Sequence, residues 1–122
     1  MARALKPSWQ PPFWLLFGAG GMLSALIGAA LVFVTGLAGP TGTVLPEGAF
    51  GYARVLTFAQ HPLGKAFAFA VVALFLWHAA HRLYHTLHDF GVHAGSVAWI
   101  ACYGSAAAGT VVAAACLLAV GF

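Results

Sequence analysis

The sequence predicts an all-α integral membrane fold, with three transmembrane helices and a short interfacial helix between spans 1 and 2. Three observations predict it. Of the 122 residues, 62% are hydrophobic and only 6% are charged, against about 25% charged in an ordinary soluble domain. No Asp, Glu, Lys or Arg falls between Pro7 and Pro46, and none follows Asp89; a soluble fold this small could not hide so much apolar surface. The apolar stretches each exceed the roughly 20 residues that a helix needs to cross hydrocarbon, and none alternates with the period of two that a barrel strand requires.

The first span is expected at residues 13–38. Pro11 and Pro12 suit a helix start, because proline's missing N–H is spare in the first turn. Gly39-Pro40 ends it. Arg3 and Lys6 precede this stretch as they would in a signal peptide, but the run is far longer than the usual apolar core of about 7–15 residues. Residues 40–46 read as a loop and 47–60 as a short helix lying at the membrane surface, with Tyr52 and Arg54 beside Val55, Leu56 and Phe58. His61-Pro62 then opens the second span, expected at 63–87 and stopped by Asp89-Phe90-Gly91. After a tight connection, the third span is expected at 96–121. Residues 1–122 form one domain.

Small residues recur every fourth position at Gly20, Ser24 and Gly28, and again at Ser105 and Gly109 beside three alanines. Lipid supplies no hydrophobic drive between helices, so small residues that let backbones approach are the expected contact surfaces. Cys102 and Cys116 lie on one helix, ~21 Å apart at 1.5 Å per residue; they cannot pair with each other, and both read as packing residues. The net charge of +3 is too small and scattered for nucleic-acid binding.

Orientation is weakly marked. With the N-terminus inside, Arg3, Lys6 and Arg82 count as cytoplasmic, while Arg54 and Lys65 lie outside. This small excess favours a cytoplasmic N-terminus. In either orientation, the start of span 1, the end of span 2 and the start of span 3 share one membrane face. Trp14, Phe17, Trp99 and Tyr103 therefore lie at the level of the end of span 2.

That end carries the main chemical signal. His78, His81, His85 and His88 fall within about 80° of one helical face at ~100° per residue, and Arg82 and Asp89 extend it. Ionisable groups are costly in a span and usually mark a site. Asp89, four residues on, is the local carboxylate for His85; the other histidines need water, a ligand or a second chain. A quinone headgroup is one fitting occupant. Trp14 offers an indole N–H, a donor only. His81 and His85 can relay protons near neutral pH, Arg82 can hold negative charge, and Phe13, Phe17, Trp77 and Tyr84 offer flat walls. Haem is a second occupant, with imidazole as axial ligand; one helix face cannot flank an iron on both sides, so a partner chain would supply the other ligand. A solvated helix end is the third reading, and it is the preferred one for His61 and His93 at loop edges. Trp9 and Trp99 read as interface anchors. No phosphate loop, Ser-His-Asp set or zinc spacing is present.

Three segments carry a family resemblance. Phe13-Trp-Leu-Leu-Phe-Gly-Ala-Gly-Gly-Met22 resembles the start of the D-type membrane anchor of bacterial fumarate reductase. Tyr52-Ala-Arg-Val-Leu-Thr-Phe-Ala-Gln60 resembles that family's interfacial helix, and the run from Leu76 to Asp89 its second span. Order and spacing agree from Phe13 to about Tyr103. The resemblance implies a non-catalytic membrane anchor in a bacterial inner membrane, within a complex II-type assembly of four subunits. Its partners would be a second anchor of the C type, an iron–sulfur subunit and a flavoprotein, with electrons passing from menaquinol to fumarate in anaerobic respiration. It also implies no haem. Carried over by position, Trp14, Phe17, Gly18, His81, Arg82 and His85 are the expected quinone-binding residues. Two positions depart from the family: relatives can carry a proline where this chain has Gly28-Ala29-Ala30, and Tyr84 stands where a relative has histidine.

Overall fold

The computed structural model describes residues 10–92 and 95–122. Arg3, Lys6, Trp9 and His93 lie outside the described residues. Among the described residues there are only helices and turns, and three helices are long and apolar enough to cross a membrane: Trp14–Thr41, Pro62–Asp89 and Gly95–Ala119.

The first span is not a uniform α-helix. The α-helical segment Gln10–Leu23 gives way to a π-helical turn at Ser24–Gly28, resumes over Ala29–Phe33, widens again at Val34–Ala38 and closes with Gly39–Thr41. The second wide turn has a visible cause. Pro40 has no N–H, and in a regular helix its ring would strike the carbonyl four residues back. Just before it, the Gly39 N–H reaches Val34 O, five residues back, which is the π pattern. Thr35 Oγ1 donates to Leu31 O and Thr41 Oγ1 to Leu37 O, both at 2.6 Å. The widened geometry carries the helix through Pro40 to Thr41, past the expected stop at 38. The first wide turn ends at Gly28.

The interfacial helix is Tyr52–Gln60, shorter than expected because residues 47–50 form turns. His61 caps the second span, its Nδ1 accepting from the Leu63 N–H at 3.3 Å, with Pro62 in the first turn. The other end is a Schellman cap. The Gly91 N–H donates to His88 O and the Val92 N–H to Leu87 O, with Gly91 at φ +76°, a conformation that favours glycine. At 28 residues this helix is about 42 Å long, against a hydrocarbon core of about 30 Å. Both of its ends therefore reach headgroup level.

The second span is the centre of the bundle, packing against the first span, the interfacial helix and the third span. Among the described residues, the buried apolar side chains are alanines: Ala38, Ala80, Ala98 and Ala106. A Cβ on Gly20 would lie 2.8 Å from Leu74 O, and one on Gly109 would lie 2.9 Å from Leu76 Cδ1, so both glycines mark close helix approach. Ser105 faces away from the contact and is exposed, its hydroxyl turned back to Cys102 O; Ala106 takes the packing position instead. Cys102 and Cys116 are free thiols.

A second polar cluster holds the opposite end. Lys65, only 8% exposed, donates from Nζ to Gly121 O at 2.6 Å and sits 3.9 Å from the centre of the Phe122 ring. Gln60 Nε2 donates to Val120 O at 3.2 Å. Both side chains satisfy carbonyls beyond the end of the third helix, where a cation also meets the negative end of the helix dipole.

Candidate functional site

The start of the first span, the end of the second and the start of the third meet at one level, as the topology requires. Trp14 and His81 stand 6.4 Å apart between ring centroids, Phe17 and His81 4.3 Å, Trp99 and Tyr103 5.4 Å. His81 is the point of convergence. Its Nδ1 forms a 2.9 Å hydrogen bond with Tyr103 Oη, its ring makes a tilted contact with Phe17, and the His85 ring centroid lies 4.3 Å away.

Beside His81 opens a groove of about 560 Å³. Leu16 and Phe17 line it from the first span, Trp77 and His81 from the second, and Trp99, Ile100, Tyr103, Gly104 and Ala107 from the third. The groove exists because the first and third spans both lean on the second. Its lining is mainly aromatic and aliphatic, with His81 and Tyr103 among the residues that carry polar atoms.

The six expected residues separate in this geometry. Phe17 and His81 line the groove. Trp14 and His85 flank His81 from outside it, and Trp14 is 65% exposed. Arg82 and Gly18 are exposed, and a Cβ on Gly18 would meet nothing within 4 Å. Among the described residues, His85 makes ring contacts with His81 and Tyr84. His78, on the same stripe, turns inward. Its ring stacks on Phe17 at 4.8 Å, and its Nδ1 lies 3.3 Å from Phe17 O, so it belongs to the contact between the first two spans.

Residues outside the expected set complete the site. Tyr103 is the most consequential. Its ring packs 6.2 Å from Trp77, 5.7 Å from Tyr84 and 5.4 Å from Trp99. The available signal was Trp99, Tyr103 and Ala107 at four-residue spacing, one face of the third helix at the depth of His81. Tyr84, expected as an aromatic wall, joins the cluster through its ring contact with Tyr103. Trp77 is tied by its indole N–H to Thr110 Oγ1 at 3.2 Å, and Thr110 in turn donates to Ala106 O.

Residues 4–118 match the family of fumarate reductase D subunits. The chain belongs to that family. It is 46% identical to the fumarate reductase D subunit of Vibrio vulnificus over 101 residues, covering 83% of this chain and 80% of the relative. Against the D subunit of the Aliivibrio fischeri fumarate reductase the figures are 39% over 109 residues, 89% and 90%. Against that of Shewanella putrefaciens they are 42% over 113 residues, 88% of each chain. A fumarate reductase D subunit with three spanning helices is a multi-pass membrane protein, and the cluster around His81 sits at one end of its bundle.

Proposed function

We propose that this chain is the D-type membrane anchor of a bacterial quinol:fumarate reductase. In this reading it tethers an iron–sulfur subunit and a flavoprotein to the cytoplasmic face of the inner membrane, pairs with a second anchor subunit, and contributes part of a menaquinol site without carrying catalysis itself. Its N-terminus then lies on the cytoplasmic side. The observation that carries the reading is the convergence of Trp14, Phe17, His81 and Tyr103 from three spans at one end of the bundle.

The residues present fit a quinone headgroup. Flat aromatic walls border the groove, its volume falls within the roughly 300–1,000 Å³ of ordinary ligand sites, and His81 and Tyr103 bring polar side chains to its lining. A bound menaquinol supplies electrons and protons together. Trp14 offers its indole N–H to a headgroup oxygen. His81 and His85, with ring centroids 4.3 Å apart, carry protons from the groove toward the exposed end of the helix. Arg82 stabilises negative charge there. Phe17 packs against the His81 ring, and the bare Gly18 leaves room for the ligand or for a partner subunit.

The test uses the assembled complex. Trp14→Leu and His85→Ala should slow quinol oxidation by about tenfold or more, while fumarate reduction from a soluble dye donor persists. Both variants oxidising quinol at the parental rate would leave only the tether. A b-type absorption band in the dithionite-reduced complex would instead give the histidines to haem.

A further inference from the structure

Resting on the quinone reading, we infer that Tyr103 is the positioning residue for His81, leaving Nε2 as the imidazole nitrogen that meets the headgroup oxygen. An imidazole has two nitrogens, and the partner of one sets the ring's orientation and the chemistry of the other. His81 Nδ1 is engaged by Tyr103 Oη at 2.9 Å. The phenol is itself held in place. Its ring is lodged between Trp77 of the second span and Trp99 of its own helix, with Tyr84 on a further side. Phe17, at 4.3 Å, covers His81 from the first span. The ring is thus held by a hydrogen bond from one neighbouring span and a tilted ring contact from the other, beside the groove that both residues line. His78, one turn away, has its Nδ1 directed to Phe17 O, and the Trp77 N–H is taken by Thr110. Neither duplicates His81.

Tyr103→Phe separates packing from positioning, because it keeps the ring among Trp77, Tyr84 and Trp99 and removes only Oη. In the purified complex, equilibrium binding of menadione is measured for the parent, Tyr103→Phe, His81→Gln and the double variant, alongside menadiol oxidation and dye-driven fumarate reduction. Loss of one hydrogen bond should weaken menadione binding roughly threefold to tenfold in Tyr103→Phe. It should have little further effect in the His81→Gln background, since residues acting through one another are non-additive. Dye-driven turnover reports whether the soluble subunits remain bound in each variant. If Tyr103→Phe is silent while His81→Gln weakens binding, or if the two effects simply add, the positioning role is overturned and the quinone reading stands. If His81→Gln binds menadione like the parent, the quinone assignment falls and the inference with it. Should Tyr103→Phe fail to assemble, a ring-fluorinated tyrosine at the same position keeps the hydroxyl and nearly the same shape while changing the phenol's acidity and hydrogen-bond strength; unchanged menadione affinity then overturns the inference.

Discussion

The seam between the first two spans makes a sharp prediction, because two adjacent glycines face the same helix with different obstacles. A methyl group on Gly20 would lie 2.8 Å from the backbone oxygen of Leu74 and 3.0 Å from His78 Cβ. Neither atom can yield without moving the helix. On Gly21 the nearest atom is His78 Cε1 at 3.0 Å, the far edge of a ring that can turn at the expense of its contact with Phe17 O. Overpacking against rigid neighbours costs about 1–3 kcal/mol, offset by up to about 1 kcal/mol of improved helix propensity. Gly20→Ala should therefore destabilise the bundle by about 1–2 kcal/mol. Gly21→Ala loses one neutral hydrogen bond, about 0.5–1.5 kcal/mol, against a similar propensity gain, and should end within about 1 kcal/mol of neutral. Titration of the chain in micelles with sodium dodecyl sulfate, followed by tryptophan fluorescence, measures both. A second consequence links packing to the site: moving the first span outward carries Phe17 away from His81, so Gly20→Ala should also lower menadione affinity in the complex. If Gly21→Ala proves as destabilising as Gly20→Ala, the Leu74 carbonyl is not the limiting contact and the reasoning fails.

Three further outcomes follow from the same geometry. Lys65→Met removes the bond to Gly121 O and the cation over Phe122; a charge-assisted bond contributes about 1.5–3 kcal/mol, part of which water restores at the interface, so hydrogen exchange at the Val120 and Gly121 amides should quicken by about tenfold. Gly64→Ala would drive a methyl group into the carbonyl oxygen of Phe58, and should detach the interfacial helix, read as loss of exchange protection across residues 52–60 with the spans still protected. Thr110→Val leaves the Trp77 indole N–H without its acceptor and should cost about 1–2 kcal/mol, most of which returns when Trp77→Phe is added, because pairing both changes removes the unsatisfied donor.

The architecture was legible because its causes are local. Pro62 after a capping His61, and Gly91 after Asp89, are start and stop signals that the backbone obeys to within a residue or two. The shared level of Trp14, His81 and Tyr103 follows from the number of crossings alone. The first span runs beyond its expected end because Gly39-Pro40 has the form of a stop, whereas a wide turn ahead of the proline lets the helix continue. The second-span contacts of Gly20 and Gly109 were readable from four-residue spacing. The turning away of Ser105 was not, because neighbouring small residues offer a helix several faces of similar width. The groove was hidden for a different reason. It depends on how far the first and third spans splay over the second, a tertiary quantity that no single helix encodes.

Depth sorted the histidines where phase could not. His78 and His85 are seven residues apart, so they point in nearly the same direction, drifting only about 20° per heptad on a straight helix. Their surroundings nevertheless differ completely. At the depth of His78 the first span presents Phe17, Gly20 and Gly21, and the missing side chains of the glycines admit the imidazole into the seam. At the depth of His85 the glycines have been passed, and the ring is left exposed beside Tyr84. His81, rotated toward the third span, lies between them and finds Tyr103. One helical stripe thus runs from an imidazole used for packing, through one held by a hydrogen bond at the groove, to one open at the helix end. The gradient is created by where small residues stop on the neighbouring helix. It follows that the glycines of the first span shape the site as much as the histidines of the second, although they carry no chemistry of their own.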